Sequence, residues 1–224
     1  MQNASTQTNT GNKISDFVQR NRKFIFTITG VIVFLFLGLI VYVSVSDHLQ
    51  KKAIAEVEEL NQRFVELRLV VPDQYYADDV DELLADLNEF VKNRKGFAGS
   101  RAWTYIAQLH AGREEWQQAE EAWYNAARTG FKTYLAPVAF FNAAAAAEEQ
   151  GDYARAIEHL ENCVSHTFAF PAAPRAQFAI GRLNEQLENY QDAIEAYRVI
   201  LISWPTIDVW VNLAHSRIAA IESM

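Results

Sequence analysis

The sequence repeats itself at a period of 37 residues between about residues 100 and 205. Three segments align at this offset without gaps: EEWQQAEEAWYNAA, GDYARAIEHLENCV and ENYQDAIEAYRVIL. Their shared positions, with one position upstream, form four columns of residue type: aromatic (Trp116, Tyr153, Tyr190), alanine (Ala119, Ala156, Ala193), bulky (Trp123, Leu160, Tyr197) and small (Ala107, Ala144, Gly181). A period of about 20 to 50 residues is typical of solenoids, whose units bury their apolar faces only by stacking on one another.

These four columns predict pairs of antiparallel helices. A small residue in each helix lets its neighbour approach closely, and the bulky residue fills the space beside the alanine. We therefore predict an all-α chain in which residues 98–224 form an α-solenoid of three units, at about 100–130, 137–168 and 174–205. The predicted connections between units are Thr129–Tyr134 and His166–Pro174. A capping helix is predicted at 207–222, with helical spacing of Val211, Ala214, Ile218 and Ile221.

The repeat resembles the tetratricopeptide repeat, or TPR, a helix–turn–helix unit of about 34 residues. The third copy carries the resemblance best, with Gly181, NYQDAIEAY from Asn189 to Tyr197, and Pro205. The second copy has GDYARAIEHL from Gly151, and the first has Trp103, Ile106 and Ala107 ahead of WQQAEEAW. The resemblance covers about residues 100–205, although the period of 37 departs from the usual one. It implies a groove, lined by the first helix of each pair, that binds segments of partner proteins.

Outward positions on the first helices are the predicted lining of this groove: Arg101, Thr104, Gln108, Val138, Phe141, Glu148, Arg175, Phe178, Arg182 and Glu185. Phe141 and Phe178 are equivalent in the repeat, and with Arg175 and Arg182 they suggest an anchor pocket with a charged orienting group. Packing of one or both rings against a neighbouring unit is the alternative. TPR domains that grip a chaperone's terminal carboxylate use Lys and Asn at positions that here hold other residues, so that role is not predicted: Thr104, Gln108, Phe141, Ala145, Phe178 and Arg182.

A charge-free run from Phe24 to Ser46 is the second feature that constrains the fold. As a helix, its 23 residues would span roughly 34 Å, against roughly 30 Å for the hydrocarbon core of a bilayer. We predict a retained transmembrane helix at 24–46, because the run is longer than the core of a signal peptide. A signal peptide cleaved after Ser44-Val45-Ser46 is the alternative.

The distribution of charge predicts the orientation of this helix. Residues 1–23 carry a net charge of +3 and the whole chain −8, which leaves −11 for residues 47–224. Basic residues before the span favour a cytoplasmic N-terminus, so the repeat domain is predicted on the opposite side of the membrane. Residues 1–14 lack aromatics and are predicted to be disordered. The acidic excess opposes binding to nucleic acid.

Residues 47–97 are predicted to form a long helix and a degenerate repeat. Five apolar residues alternate four and three apart between Asp47 and Val70: Ala53, Val57, Leu60, Phe64 and Leu67. They could form a coiled-coil seam for a homodimer, but the run is under three heptads, so packing on the next helix is favoured. Val71-Pro72-Asp73 is predicted to end this helix, and Val80–Val91 to form the next.

Residues with catalytic or metal-binding chemistry are few. His159, Cys163 and His166 lie at i, i+4 and i+7, but no fourth ligand is near in sequence, so a metal site is not predicted. Acidic pairs such as Glu114/Glu115, Glu120/Glu121 and Glu148/Glu149 are predicted to be solvated rather than paired in a cleft. We expect neither enzymatic activity nor a cofactor.

The architecture resembles single-span, membrane-anchored periplasmic TPR proteins associated with the Sec translocon. This resemblance implies, more specifically, an anchor in the inner membrane and repeats in the periplasm. It also implies a scaffold or chaperone-like adaptor that holds protein segments as they are exported or assembled. A self-associating structural component of an envelope complex is the alternative function.

Overall fold

The computed structural model describes residues 5–69, 76–166 and 169–224, which form nine helices and no strand. The helices are α1 (Ser5–Leu69), α2 (Tyr76–Val91), α3 (Gly96–Gly112), α4 (Trp116–Thr129), α5 (Leu135–Glu149), α6 (Tyr153–Val164), α7 (Ala173–Gln186), α8 (Tyr190–Ser203) and α9 (Asp208–Glu222). The chain divides into two compact units, Met1–Lys52 and Ala53–Met224.

The first unit contains an exposed apolar stretch of α1. Phe24 and the large apolar side chains from Phe26 to Val45 are largely exposed, in contrast to the apolar residues of the repeats. Among the described residues, one helix is long and apolar enough to cross a membrane, by length and composition only, and a signal sequence passes the same test. Helix α1 begins at Ser5, so residues 5–14 are helical where composition predicts disorder. Extending a helix that has already formed adds one hydrogen bond per residue and avoids the cost of nucleation.

In the second unit, the end of α1 packs within the chain. Ala53, Val57 and Phe64 are buried, and the ring of Phe64 stacks on Tyr105 of α3 at a centroid distance of 5.0 Å. These residues of the predicted seam are thus covered by the chain itself. Helix α2 begins at Tyr76, four residues before the predicted start, and its first turn carries Asp78 and Asp79, which the helix dipole favours. The predicted stop at Val71-Pro72-Asp73 lies outside the described residues.

Three helix pairs follow, α3/α4, α5/α6 and α7/α8, with α9 after them. The connection between α4 and α5 runs from Gly130 to Tyr134, close to the predicted Thr129–Tyr134. Helix α6 ends at Val164 and α7 begins at Ala173, and residues 167–168 of this connection are outside the described residues. Helix α3 begins at Gly96, four residues earlier than the predicted unit.

The repeat columns differ in burial. The alanine, bulky and small columns are all buried, whereas the aromatic column occupies the first residue of α4, α6 and α8 and is only partly covered. Tyr190 of that column is 38% exposed. A Cβ on Gly181 would lie 2.5 Å from Cε1 of Tyr197, so in this unit the ring fills the space that a larger small-column residue would need.

The turn inside each helix pair has the same backbone conformation. Glu114, Gly151 and Glu188 lie 37 residues apart, and their φ angles are 60°, 75° and 60°. Glycine adopts this left-handed region readily, whereas glutamate adopts it at a cost. The period seen in the sequence is therefore also a period of the backbone.

Candidate functional site

The first-helix face, formed by α3, α5, α7 and α9, carries the predicted groove residues. Helix α3 contacts α5, and α7 contacts α9. Between α5 and α7 the contact is made by side chains, among them the hydrogen bond from Arg182 to Glu148.

Phe141 of α5 lies at the centre of an aromatic and cationic cluster. Its ring centroid is 5.4 Å from that of Phe170, and the guanidinium carbon of Arg175 lies 5.3 Å from the same centroid. The ring is half-buried, while Arg175 is exposed and Val138, one turn earlier on α5, is 39% exposed. The structure therefore brings Phe141 and Arg175 together. Arg175 and Val138 remain open to solvent next to the Phe141 ring.

Phe178 of α7 packs against other helices. Its ring centroid lies 5.1 Å from that of Tyr197 on α8 and 5.6 Å from that of Trp210 on α9. Both phenylalanines thus contact neighbouring elements, as the alternative interpretation of these residues requires. Phe178 serves chiefly to join the third unit to the capping helix.

Two ion pairs cross the same face. Arg182 Nη2 donates to Glu148 Oε2 at 2.6 Å, and this hydrogen bond raises the pKa of Arg182. Glu185 accepts from Arg217 Nε of α9 at 3.0 Å and also from the Tyr197 hydroxyl. Burial alone would raise the pKa of Glu185, but these hydrogen bonds lower it overall. Arg182 and Glu185 are thus already engaged in contacts between helices.

The groove residues of the first unit lie near the end of α1. Arg101 Nη1 donates to Glu58 Oε2 at 3.0 Å, and Thr104 Oγ1 donates to the Ser100 carbonyl at 3.0 Å. Gln108 lines a cavity of about 460 Å³ together with Phe64 and other residues of α1, α2 and α3. Arg101 and Gln108 therefore border the helices that precede the repeats, whereas the hydroxyl of Thr104 bonds within α3.

Glu120 of α4 corrects the prediction that its acidic pair is solvated. The side chain is 5% exposed, and Oε1 lies 2.9 Å from Nε2 of His159, which is equally buried. Gln150 Nε2 donates to Glu120 Oε2 at 2.7 Å, and Arg155 Nη1 lies 3.3 Å from the same oxygen. Glu120 lies three residues before Trp123 of the buried bulky column, hence on the same side of the helix, which is the signal that the sequence offered.

The three residues weighed as metal ligands are separated by their surroundings. His159 pairs with Glu120, and Cys163 is buried, which raises the pKa of its thiol to about 12. His166 lies beyond the end of α6, so it does not share a helix with the other two, and its Nε2 donates to the Phe131 carbonyl at 3.0 Å. In the part of the chain that the structure describes, no three His, Cys, Asp or Glu side chains gather to hold a metal ion.

Sequence reasoning did not select Phe170, Trp210 or Arg217, although each contacts a predicted groove residue. Phe170 lies in an inter-unit connection, where the repeat alignment makes no prediction. Trp210 and Arg217 belong to the capping helix, which has no repeat partner to compare.

Comparisons with known proteins agree with this geometry. Residues 141–206 match the family model for the tetratricopeptide repeat. A TPR repeat-containing protein of Treponema pallidum (strain Nichols) is 35% identical over 144 residues, which are 63% of this chain and 59% of that protein. Both findings support the tetratricopeptide repeat family.

The TPR region therefore implies a scaffold for protein–protein interaction, and neither match indicates a catalytic family. The matched part of the chain spans about three fifths of the relative's length.

Proposed function

We propose that this chain is a membrane-anchored TPR scaffold whose first-helix face binds segments of partner proteins. The observation that carries the proposal is the combination, in one chain, of an exposed apolar helix and packed tetratricopeptide repeats. Confinement of a scaffold to a membrane raises the effective concentration of its partners, so that weak binding can suffice. The anchor would be residues 24–46 in the inner membrane, with the N-terminus in the cytoplasm.

The surface around Phe141 is the proposed contact point for the partner. Val138 offers apolar area to solvent, and Arg175 offers exposed donors next to the half-buried ring. Apolar area with an adjacent guanidinium suits a partner segment that has an apolar side chain near a carboxylate or a backbone carbonyl. Phe178 contributes to the shape of the face through Trp210 rather than as a free anchor.

Site-specific photo-crosslinking tests this contact in cells. We expect a photo-reactive residue at position 138 to capture discrete partner proteins, and Arg175→Ala to reduce their yield. The matched control carries the same residue at position 158, where Glu158 is exposed on the second helix of its pair. Equal products from positions 138 and 158, or from neither, would contradict the assignment of this face.

The proposed topology is tested separately. Alkaline extraction should leave the chain in the membrane pellet, and added protease should digest residues 47–224 in spheroplasts without lysis. Protection of that region would place the repeats in the cytoplasm.

A chaperone-like role toward exported or envelope proteins at the translocon is the finer form of this proposal. It predicts that the partners captured at position 138 include newly exported chains and diminish when protein export is blocked. Self-association through the α1 seam is disfavoured as the main function, because Ala53, Val57 and Phe64 are buried within the chain. Sedimentation of the detergent-solubilised protein would detect a dimer.

A further inference from the structure

A second groove lies between α6 and α8, with α7 as its floor. Its volume is about 510 Å³, and we call it the second-helix groove. Ile157 and Val164 of α6, Ile180 of α7 and Val199 of α8 give it apolar walls. None of these residues is one of the predicted groove residues of the first-helix face, and Ile180 lies on the other side of α7 from Arg175, Phe178 and Arg182. The groove is therefore separate from the proposed partner site.

The floor of this groove presents hydrogen-bond acceptors. Gln177 and Asn184 are each 7% exposed and line the groove. Gln177 Nε2 donates to the Ala196 carbonyl at 3.2 Å, and Asn184 Nδ2 donates to the Ile180 carbonyl at 3.0 Å. Both amide nitrogens are thus used inside the chain, while the two side-chain oxygens have no hydrogen-bond partner among the described residues. Among the described residues, Nδ1 of His159 is the only side-chain nitrogen or oxygen that is both sealed from solvent and without a partner. The oxygens of Gln177 and Asn184 are therefore accessible to solvent.

The rim of the groove is acidic. Glu161 and Asp192 line it and form no ion pair with any described residue, whereas Glu195 pairs with Arg198 at 2.9 Å. Among the described residues that line the groove, none is lysine or arginine. The groove therefore offers acceptors from floor and rim, and a ligand has to bring the donors and the positive charge.

We propose that the second-helix groove binds a partner protein's peptide segment in which a lysine or arginine is flanked by aliphatic residues. The aliphatic side chains pack on Ile157, Ile180 and Val199. The cation lies between Glu161 and Asp192 and donates to the amide oxygens of Gln177 and Asn184. Charge complementarity and the two unpartnered amide oxygens of buried Gln177 and Asn184 commit the site to a basic segment, and the apolar walls distinguish it from a site for a bare cation.

Fluorescence anisotropy with a defined peptide tests the proposal on the full chain in detergent micelles. The probe is a labelled Gly-Ile-Lys-Ile-Gly peptide, and the controls replace lysine by glutamate or both isoleucines by serine. We expect the probe to bind and both control peptides to bind more weakly. The variant Glu161→Gln/Asp192→Asn should weaken probe binding roughly 3- to 10-fold, as expected for two partly solvated ion pairs. The matched control, Glu121→Gln/Glu158→Gln, removes the same charge from exposed positions outside the groove and should leave the dissociation constant unchanged.

A second pair of variants tests the groove by volume rather than charge. Val199→Trp places an indole in the groove and should abolish binding, whereas Ile202→Trp, on an exposed face of the same helix, should not. Absence of probe binding, equal binding of the serine peptide, or insensitivity to both the charge and the Val199 variants would each overturn the proposal. The result does not depend on the first-helix face, which is probed at positions 138 and 175.

Discussion

Two equivalent spaces separate successive second helices, one between α4 and α6 and one between α6 and α8, and we call them junctions. Their facing residues differ, because the first junction is lined by a polar pair and the second by apolar residues. In the first junction, Glu120 and His159 form a buried pair across the two helices. The equivalent positions 37 residues later are Ile157 and Ala196, which line an open groove. A hydrogen-bonded polar pair therefore fills one junction, and its apolar replacement leaves the next one open.

The first helix that lies beneath each junction shows the reverse pattern, being apolar under the polar junction and polar under the apolar one. Phe140 of α5 is buried beside the first junction, and its ring is 6.2 Å from that of Tyr124. Ala147, two turns later on α5, is also buried. In α7 the equivalents of Phe140 and Ala147 are the polar residues Gln177 and Asn184. An apolar floor thus lies under polar walls in one junction, and a polar floor lies under apolar walls in the other. The repeat columns determine how the helices pack, while residues outside the columns determine which junction can take a ligand.

The largest expected effect comes from breaking the polar pair of the first junction. His159→Ala removes one donor from the buried Glu120 carboxylate, which keeps Gln150 and Arg155, and it also removes the packed imidazole. We expect a loss of about 3 kcal/mol of unfolding free energy. Urea denaturation of the full chain in detergent would measure it.

The double variant Glu120→Ile/His159→Ala is the sharper test, because it installs the pair found at Ile157 and Ala196. Apolar residues can replace both partners of a buried polar pair at little cost, so the double variant should be at least about 1 kcal/mol more stable than His159→Ala. Additive losses from the two substitutions would show that the junctions are not interchangeable.

A smaller effect is expected where the small and bulky columns meet. Gly181→Ala would place a Cβ within 2.5 to 2.8 Å of three ring atoms of buried Tyr197, and should cost about 1–3 kcal/mol. In the second unit, the equivalent residues are Ala144 and Leu160. Gly181→Ala/Tyr197→Leu should therefore lose less than the sum of its single variants, as measured by thermal unfolding. Strict additivity would show that the missing side chain at Gly181 is not what accommodates the Tyr197 ring.

The helix pairs could be predicted from the sequence because their determinants recur at a fixed offset. Ala119, Ala156 and Ala193 occupy buried positions of successive units, and this repetition is visible without a structure. The chemistry of the junctions could not be predicted, because Glu120 and His159 are 39 residues apart and neither recurs in another unit. Trp210 and Arg217, the partners of Phe178 and Glu185 on α9, were missed because the capping helix has no repeat equivalent to compare.

Ala126, Cys163 and Ile200 occupy the same position in the three units, and of the three only the cysteine can lose a proton. Burial raises the pKa of the Cys163 thiol from its ordinary value of 9.0 to about 12. Above pH 9 the unfolded chain therefore loses a proton that the folded chain keeps, so stability falls as pH rises. Cys163→Ala installs the residue of the first unit and removes this dependence.

The stability advantage of the wild-type chain over Cys163→Ala should accordingly shrink by up to about 1.4 kcal/mol per pH unit between pH 9 and 11. Urea denaturation under reducing conditions would measure the difference. A constant difference between pH 7 and 11 would contradict burial of the thiol.

The smallest expected effect concerns the ion pair that joins α7 to the capping helix, the counterpart of the Arg182–Glu148 pair between α5 and α7. Arg217→Gln removes the guanidinium from Glu185, and we expect a loss of about 1 kcal/mol at pH 7, because Arg217 itself is half-exposed. The pKa of Glu185 is lowered in the folded chain, so its contribution to stability is present above its ordinary pKa and is lost as pH falls through the lowered value. The difference between wild type and Arg217→Gln should therefore vanish in acid, and Arg198→Gln, which affects an exposed pair with Glu195, should cost less at every pH. An undiminished difference in acid would show that Arg217 stabilises α9 by packing rather than through Glu185.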